Sequence, residues 1–309
     1  MSTNSKENNN EQKKIKELKK SLNLLKENNI IDTKLYEELN NKISTSNNEK
    51  LIELNDKEIT DLNSKTLVQV INLSKKYNKK SNNVIDNLNF EIKSGEFHAF
   101  IGANGAGKTT TIKAIVGAYA KFDGKIIIDG FPNYTSIAKE RIGYIAEKAV
   151  FPKNLNTLEY LATMAILSGI SKKEAFKLAE NKLKELNMEN LYKKNPNNFS
   201  SGQKKKVLLA QALINNPKIL IMDEPAANLD PIARIELFDL LKQLQSKGVS
   251  IFISSHILAE LDKYADHVTI LDGGKIVYTG KINHDVNLES LYLKFVKKGS
   301  IDNPIKIKN

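Results

Sequence analysis

The octapeptide Gly102-Ala103-Asn104-Gly105-Ala106-Gly107-Lys108-Thr109 constrains this chain more than any other stretch. It satisfies G-x-x-x-x-G-K-[ST], and an apolar run, Phe97–Ile101, leads into it while a helical pattern, Thr109–Val116, leads out. Glycines at these positions let backbone N–H groups turn inward around an anion, and the helix N-terminus adds its partial positive charge. In such a loop Lys108 reaches the β- and γ-phosphates of a nucleotide, and Thr109 offers a hydroxyl to Mg2+. The motif predicts a nucleoside triphosphate site at a strand-to-helix turn, and leaves open what the nucleotide is used for.

The flanking runs predict the architecture around that loop. Residues 67–77 and 84–96 are strand-like, the second ending in a Ser-Gly turn, and Gly124–Gly130 contains another short strand. Ser171 with Glu174 makes a capping box that opens a helix through Leu186, with Ala175, Leu178, Ala179, Leu183 and Leu186 on its apolar stripe. Two apolar strands, Lys218–Glu224 and Ser250–His256, are joined by a helix at Ile232–Ser246. Buried runs alternating with helices predict a parallel sheet covered on both faces, an α/β nucleotide-binding core.

Composition removes other classes. With no cysteine in 309 residues, disulfides, thiolate metal sites and a cysteine nucleophile are excluded, which fits a reducing interior. No run approaches the roughly 18 apolar residues that span a bilayer, and Met1–Asn10 is polar with no apolar signal region behind it. A protein held inside the cell is expected. Forty-seven Lys and Arg against 36 Asp and Glu leave a net charge of +11, enough to attract nucleic acid or an anionic membrane. The lysines are spread along the whole chain, however, and no basic cluster is interleaved with aromatics that would stack bases. No nucleic-acid partner is expected.

Residues 1–66 hold no glycine or proline and are broken by Asn clusters. Ile15, Leu18, Leu22 and Leu25, then Leu35, Leu39 and Ile43, fall at helical spacing around Asn28–Asn29, with a weaker third pattern at Leu51–Leu62. An α-helical N-terminal extension is expected, either a pair of helices that resembles the short SHOCT-like association hairpins of many bacterial proteins or a solvated, partly helical leader. Residues 281–309 form a basic tail with a helical pattern at Leu288–Lys297.

The strand Ile219–Met222 ends in adjacent carboxylates, Asp223 and Glu224. Consecutive strand residues point to opposite faces, so the two acids should do different work: Asp223 as a Mg2+ ligand, Glu224 as the base that orients or deprotonates attacking water. Upstream stands Phe199-Ser200-Ser201-Gly202-Gln203, and downstream come Asn228-Leu229-Asp230 and Ser254-Ser255-His256. This order and spacing resemble the ATP-binding-cassette (ABC) ATPases over about residues 67–280. The resemblance implies a P-loop NTPase core with a mainly parallel sheet, an antiparallel β subdomain and a helical subdomain at about 148–205.

The resemblance also implies roles. Tyr77 would stack on adenine, and Gly102 to Thr110, including Asn104, Gly105, Ala106 and Gly107, would hold the phosphates of ATP. Asp223 and Thr109 would hold Mg2+, with Glu224 as base and His256 contacting the γ-phosphate. Ser200, Ser201, Gly202 and Gln203 form the signature that would bind ATP held by a second cassette, and Asp230 lies in the loop joining the two sites. Four departures stand out. Glu147 replaces the usual glutamine that senses γ-phosphate and Mg2+, keeping an oxygen but losing the amide donor. In the signature Phe199 replaces a leucine and Ser201 a glycine, adding a Cβ in a tight spot that could weaken the contact with the second cassette's ATP. Asn228 replaces a usually small residue.

Such a chain is expected to be an ATP-hydrolysing subunit that pairs with a second cassette and powers separate transmembrane permease subunits. It would lie in the cytoplasm, peripheral on the inner face of the membrane, touching the permease through about Glu147–Gly169. Residues Gly107–Gly117 and Glu147 resemble ABC-2-type exporters. The alternative is a soluble ABC ATPase acting on ribosomes or nucleic acid; such proteins usually carry two cassettes or a long coiled-coil insertion. A metabolite kinase would leave the signature unexplained.

Overall fold

The computed structural model describes residues 66–78, 82–282 and 287–300, together with Lys19, Asn23, Lys26, Glu37 and Asn40. Those five positions are helical. The rest of the expected helical extension, including the pattern at Leu51–Leu62, lies outside the described residues.

Six strands form the main sheet. In chain order they are β3 (Phe97–Gly102), β6 (Ile142–Ile145), β7 (Ile219–Asp223), β8 (Ser250–Ser255), β9 (His267–Asp272) and β10 (Lys275–Lys281). Their spatial order is β10-β9-β3-β8-β7-β6, parallel throughout except for the hairpin partner β10. Strands β3, β7 and β8 are buried at every residue, which is why apolar residues dominate their centres, with His98, Asp223 and the serines of β8 as buried polar exceptions. Period-two alternation divides them between two cores: Leu220, Met222, Ile251 and Ile253 face one side, Ile219, Ile221 and Phe252 the other.

The first core is covered by helices, labelled here in chain order with their neighbours. Helix α1 (Lys108–Ile115) follows β3, and α2 (Ser136–Glu140) precedes β6. Then come α3 (Thr157–Leu167), α4 (Lys172–Glu185), α5 (Ser201–Ala212), α6 (Pro231–Ser246), α7 (Leu258–Tyr264) and α8 (Leu288–Ser300). Residues of α3 to α8 pack with the first core, while α1 and α2 belong to the second. Helix starts follow side-chain chemistry. Asn156 and Glu159 close a reciprocal capping box on α3. Ser171 caps α4 as expected, with its hydroxyl 2.6 Å from Glu174 Oε2. Asp230 caps α6 through Ala233 N–H, with Pro231 in the first turn.

The second core carries an antiparallel sheet, β2-β1-β4-β5, made of β1 (Thr66–Lys75), β2 (Ile85–Lys93), β4 (Asp123–Ile128) and β5 (Phe131–Pro132). The two sheets meet through aromatic rings: Phe90 of β2 stacks on Phe252 at 5.9 Å, and Phe252 lies 5.3 Å from Phe100. Phe252 is fully buried. Among the described residues, no helix is long and apolar enough to cross a membrane.

Candidate functional site

The parallel strands end at one edge of the sheet, and that edge carries an open cleft of about 400 Å³. Asn104, Gly105, Gly107, Lys108, Thr109 and Thr110 form one wall. Glu147, Glu224, Ala227, Asn228 and His256 form the other, with Val84 at the rim. Gly107 enters α1 at φ 109°, and a Cβ there would lie 2.5 Å from Ile85 Cγ2, so only glycine fits the turn. Lys108 is buried. Its Nζ donates to Gly102 O at 2.7 Å and Ala103 O at 3.2 Å, holding the ammonium inside the loop.

The acidic pair is built differently from the expectation of alternating faces. Asp223 is the last residue of β7 and is buried, accepting from Ser254 Oγ at 2.8 Å. Glu224 has already left the strand, at φ 46°, a left-handed conformation uncommon for a non-glycine residue. That turn, rather than strand alternation, aims its carboxylate into the cleft. Its N–H donates to the same Ser254 Oγ at 3.0 Å, so one hydroxyl braces both acids. Glu224 Oε2 lies 2.8 Å from His256 Nδ1. Oε1 is 3.4 Å from Lys108 Nζ, an ion pair outside hydrogen-bond geometry, and is buried without a hydrogen bond.

Ser254 carried no role in the sequence reading. No local signal in the sequence points to it, since its place beneath the acids comes from the parallel register that sets Asp223 opposite Ser254. Lys205 was missed as well. It is 6% exposed on α5, and its Nζ donates to Glu147 O at 2.7 Å and Ala146 O at 3.2 Å. Burial lowers its pKa, while the Glu147 and Asp223 carboxylates push it back up.

Tyr77 stands beside the cleft rather than in its wall. It is 57% exposed, with its hydroxyl 3.1 Å from Thr110 Oγ1 and 2.9 Å from Tyr119 OH, and its ring edge-on to Tyr119. The Thr110 hydrogen bond leads in lowering the Tyr77 phenol, whereas burial leads in raising Tyr119 to about 12.

The signature turn does not reach this cleft. Ser200 Oγ accepts from Gln203 N–H while the Gln203 side chain accepts from Ser200 N–H, a capping box on α5 readable in the S-x-x-Q spacing. Ser200, Gly202 and Gln203 line a separate small hollow against α6. Ser201 is exposed on this chain, and nothing in its own fold crowds it. The close approach falls one residue later, where a Cβ on Gly202 would come 3.2 Å from Ala233 Cβ.

The ABC transporter family model matches residues 85–227, from β2 to just past Glu224. An ABC transporter ATP-binding protein of Mycoplasma pneumoniae is 50% identical over 217 residues, covering 70% of this chain and 67% of the relative. The lantibiotic transport ATP-binding protein SrtF of Streptococcus pyogenes is 34% identical, covering 73% of this chain and 96% of that one.

The chain belongs to the ABC transporter ATP-binding family.

Solved structures agree with its fold. The ATP-binding subunit of an ABC transporter superposes with a TM-score of 0.67 at 32% identity, covering 74% of this chain and 99% of that one. A cassette in a dimeric post-hydrolysis state bound to ADP and Pi superposes at 0.63 with 26% identity, covering 70% and 99%. The protein is thus an ABC ATPase, the ATP-binding and ATP-hydrolysing subunit of a transporter. These relatives are named as transporter components and give the ribosome-acting alternative no support.

Proposed function

We propose that this cassette drives export, closing head to tail with a second cassette around two ATP molecules and opening again on hydrolysis. The observation that carries this reading is the separation within one chain: the P-loop, Glu224 and His256 share a cleft, and Ser200 to Gln203 stand outside it. A second cassette brings its own signature turn, with the N–H groups of its α5 N-terminus, to the γ-phosphate. The head-to-tail arrangement is consistent with the dimeric ADP- and Pi-bound relative. Export rests on the lantibiotic transport relative and on the exporter-like P-loop helix.

In this reading Lys108 and the loop N–H groups bind the β- and γ-phosphates, Tyr77 swings from Thr110 to cover adenine, and Asp230 joins the two sites. Glu224 takes the proton of the attacking water, and His256 orients it from Nδ1 while turning its exposed edge to the γ-phosphate. The residues fit Mg2+: a hydroxyl on Thr109, the carboxylates of Asp223 and Glu147, all oxygen donors suited to a hard cation. Among the described residues no three His, Cys, Asp or Glu side chains group to hold a metal unaided. When bound, the cation would neutralise charge on the phosphates.

A separate permease completes the machine. An open groove of about 660 Å³ runs between α2, the α3–α4 corner and the loop after α5. It is lined by Leu167, Ile170 and Leu178 with Lys139 and Arg141 at its edge. Leu167 is 76% exposed, apolar surface suited to an apolar helix of a permease on the inner face of the membrane.

The test uses Glu224→Gln, which should bind ATP without turning over and hold the closed dimer. Purified from detergent-solubilised native membranes with ATP, it should bring down a multi-span membrane protein. Co-purification of ribosomal proteins or nucleic acid instead would overturn the reading.

A further inference from the structure

Lys205 is a buried cation with no part in the roles above. Removing an ammonium from water costs several kcal/mol, which a Met or Leu of similar volume would avoid. It lies where three elements meet. Strand β6 ends at Ile145, in register with Met222, so residues 146 and 147 emerge beside Asp223. Helix α5 crosses at that point, and from it Lys205 Nζ donates to the carbonyls of both residues. The carboxylates of Glu147 and Asp223 both act on the ammonium. Lys205 thus holds the Glu147 loop by its backbone and balances the acidic pair at the cation end of the cleft. Ser200, the cap of α5, lies five residues away, about 7.5 Å along the helix.

We propose that Lys205 is a positioning residue that fixes Glu147 at the nucleotide cleft and ties that loop rigidly to the signature turn of the same chain. Engagement of the signature by the partner's nucleotide is thereby felt at this chain's own Glu147. The coupling rests on the head-to-tail reading above; the positioning of Glu147 does not.

The experiment compares Lys205→Met with Lys205→Arg in the full chain. The sequence has no tryptophan, so Val150→Trp, three residues past Glu147 and exposed, gives a single fluorescent reporter of the loop. Lys205→Met should lower kcat roughly ten- to hundredfold with the KM for ATP within about threefold, the pattern of lost transition-state positioning. The reporter's anisotropy should fall without nucleotide, and Lys205→Arg, which keeps the charge and donors, should recover both most of the rate and the anisotropy. In the Glu224→Gln background, Lys205→Met should raise the ATP concentration needed for dimerisation about tenfold. Unchanged kcat in Lys205→Met would overturn the proposal. So would equal losses in the Met and Arg variants with the reporter unmoved, since that marks packing alone. If Lys205→Met does not fold, Lys205→Gln is judged by the same criteria. Should Glu224→Gln itself fail to dimerise, the head-to-tail reading falls, while kcat and anisotropy still decide the role of Lys205.

Discussion

His256 Nδ1 sits 2.8 Å from Glu224 Oε2. An ionised carboxylate only accepts, so Nδ1 carries the proton, and the exposed Nε2 edge of the ring is left to face a nucleotide. The carboxylate is thus oriented before any nucleotide arrives. Glu224→Gln should retain ATP affinity and lower phosphate release by roughly 10²–10⁴, the usual worth of a positioned base. Steady-state phosphate release beside fluorescent-nucleotide titration reads both quantities, and turnover at the parent rate would remove Glu224 from the role.

Lys108 is already inside its loop, bonded to two carbonyls. Lys108→Ala leaves those carbonyls and the phosphates without a cationic donor. A hydrogen bond to a charged group contributes about 1.5–3 kcal/mol, so ATP affinity should fall at least tenfold. Calorimetric titration of ATP checks this, while circular dichroism should show an intact fold.

The two signature positions should respond in opposite ways. Ser201 is exposed, and Ser201→Gly should shift stability by no more than about 0.5 kcal/mol. Gly202 faces Ala233 across a gap that a Cβ would close to 3.2 Å. Gly202→Val should push α5 from α6 and cost about 1–3 kcal/mol. Urea unfolding of both variants tests the contrast, and equal midpoints would count against it.

Acid should weaken the far end of the sheet. Glu96 bridges His98 Nδ1 at 2.5 Å and His267 Nδ1 at 3.3 Å, and the two rings stack. Burial lowers the His267 pKa below its ordinary value, with Glu96 opposing and His98, Lys93 and Lys281 assisting. Below the unfolded pKa of about 6.5 the unfolded chain takes up the proton before the folded one does. Stability from this group is therefore full above about pH 6.5 and is lost as pH falls towards the lowered folded value. Tm should drop between pH 7 and 5, and His267→Asn should flatten that slope; an equally steep slope in the variant would refute the assignment.

Every residue that lines the cleft lies at or beyond Val84. Deleting residues 1–60 should leave ATP affinity within about twofold, measured by the same titration. A loss of binding would make the leader part of the nucleotide-binding unit.

Local patterns that depend on one stretch of chain were legible in advance. The strand–loop–helix around Gly107, the apolar centres of β7 and β8, and the Ser171 cap all follow from spacing and propensity within about ten residues. Signals of the same kind, the Ser200–Gln203 and Asn156–Glu159 boxes, were equally present in the sequence. Pairing between distant strands was not legible, so the short strand at Gly124–Gly130 could not be assigned to its antiparallel sheet from its residues.

The sequence by itself determined the phosphate-binding turn, the acidic strand end and the family, because these rest on residue types at fixed local offsets. Only the tertiary structure decided how the pieces act together. Parallel pairing of β7 with β8 brings Ser254 beneath both acids. The left-handed turn at Glu224 aims its carboxylate at Lys108 and His256, and the crossing of α5 over β6 buries Lys205 against Glu147. These relationships join residues 30 to 120 positions apart, and no local rule of spacing encodes which chain segments close packing will bring within hydrogen-bond reach.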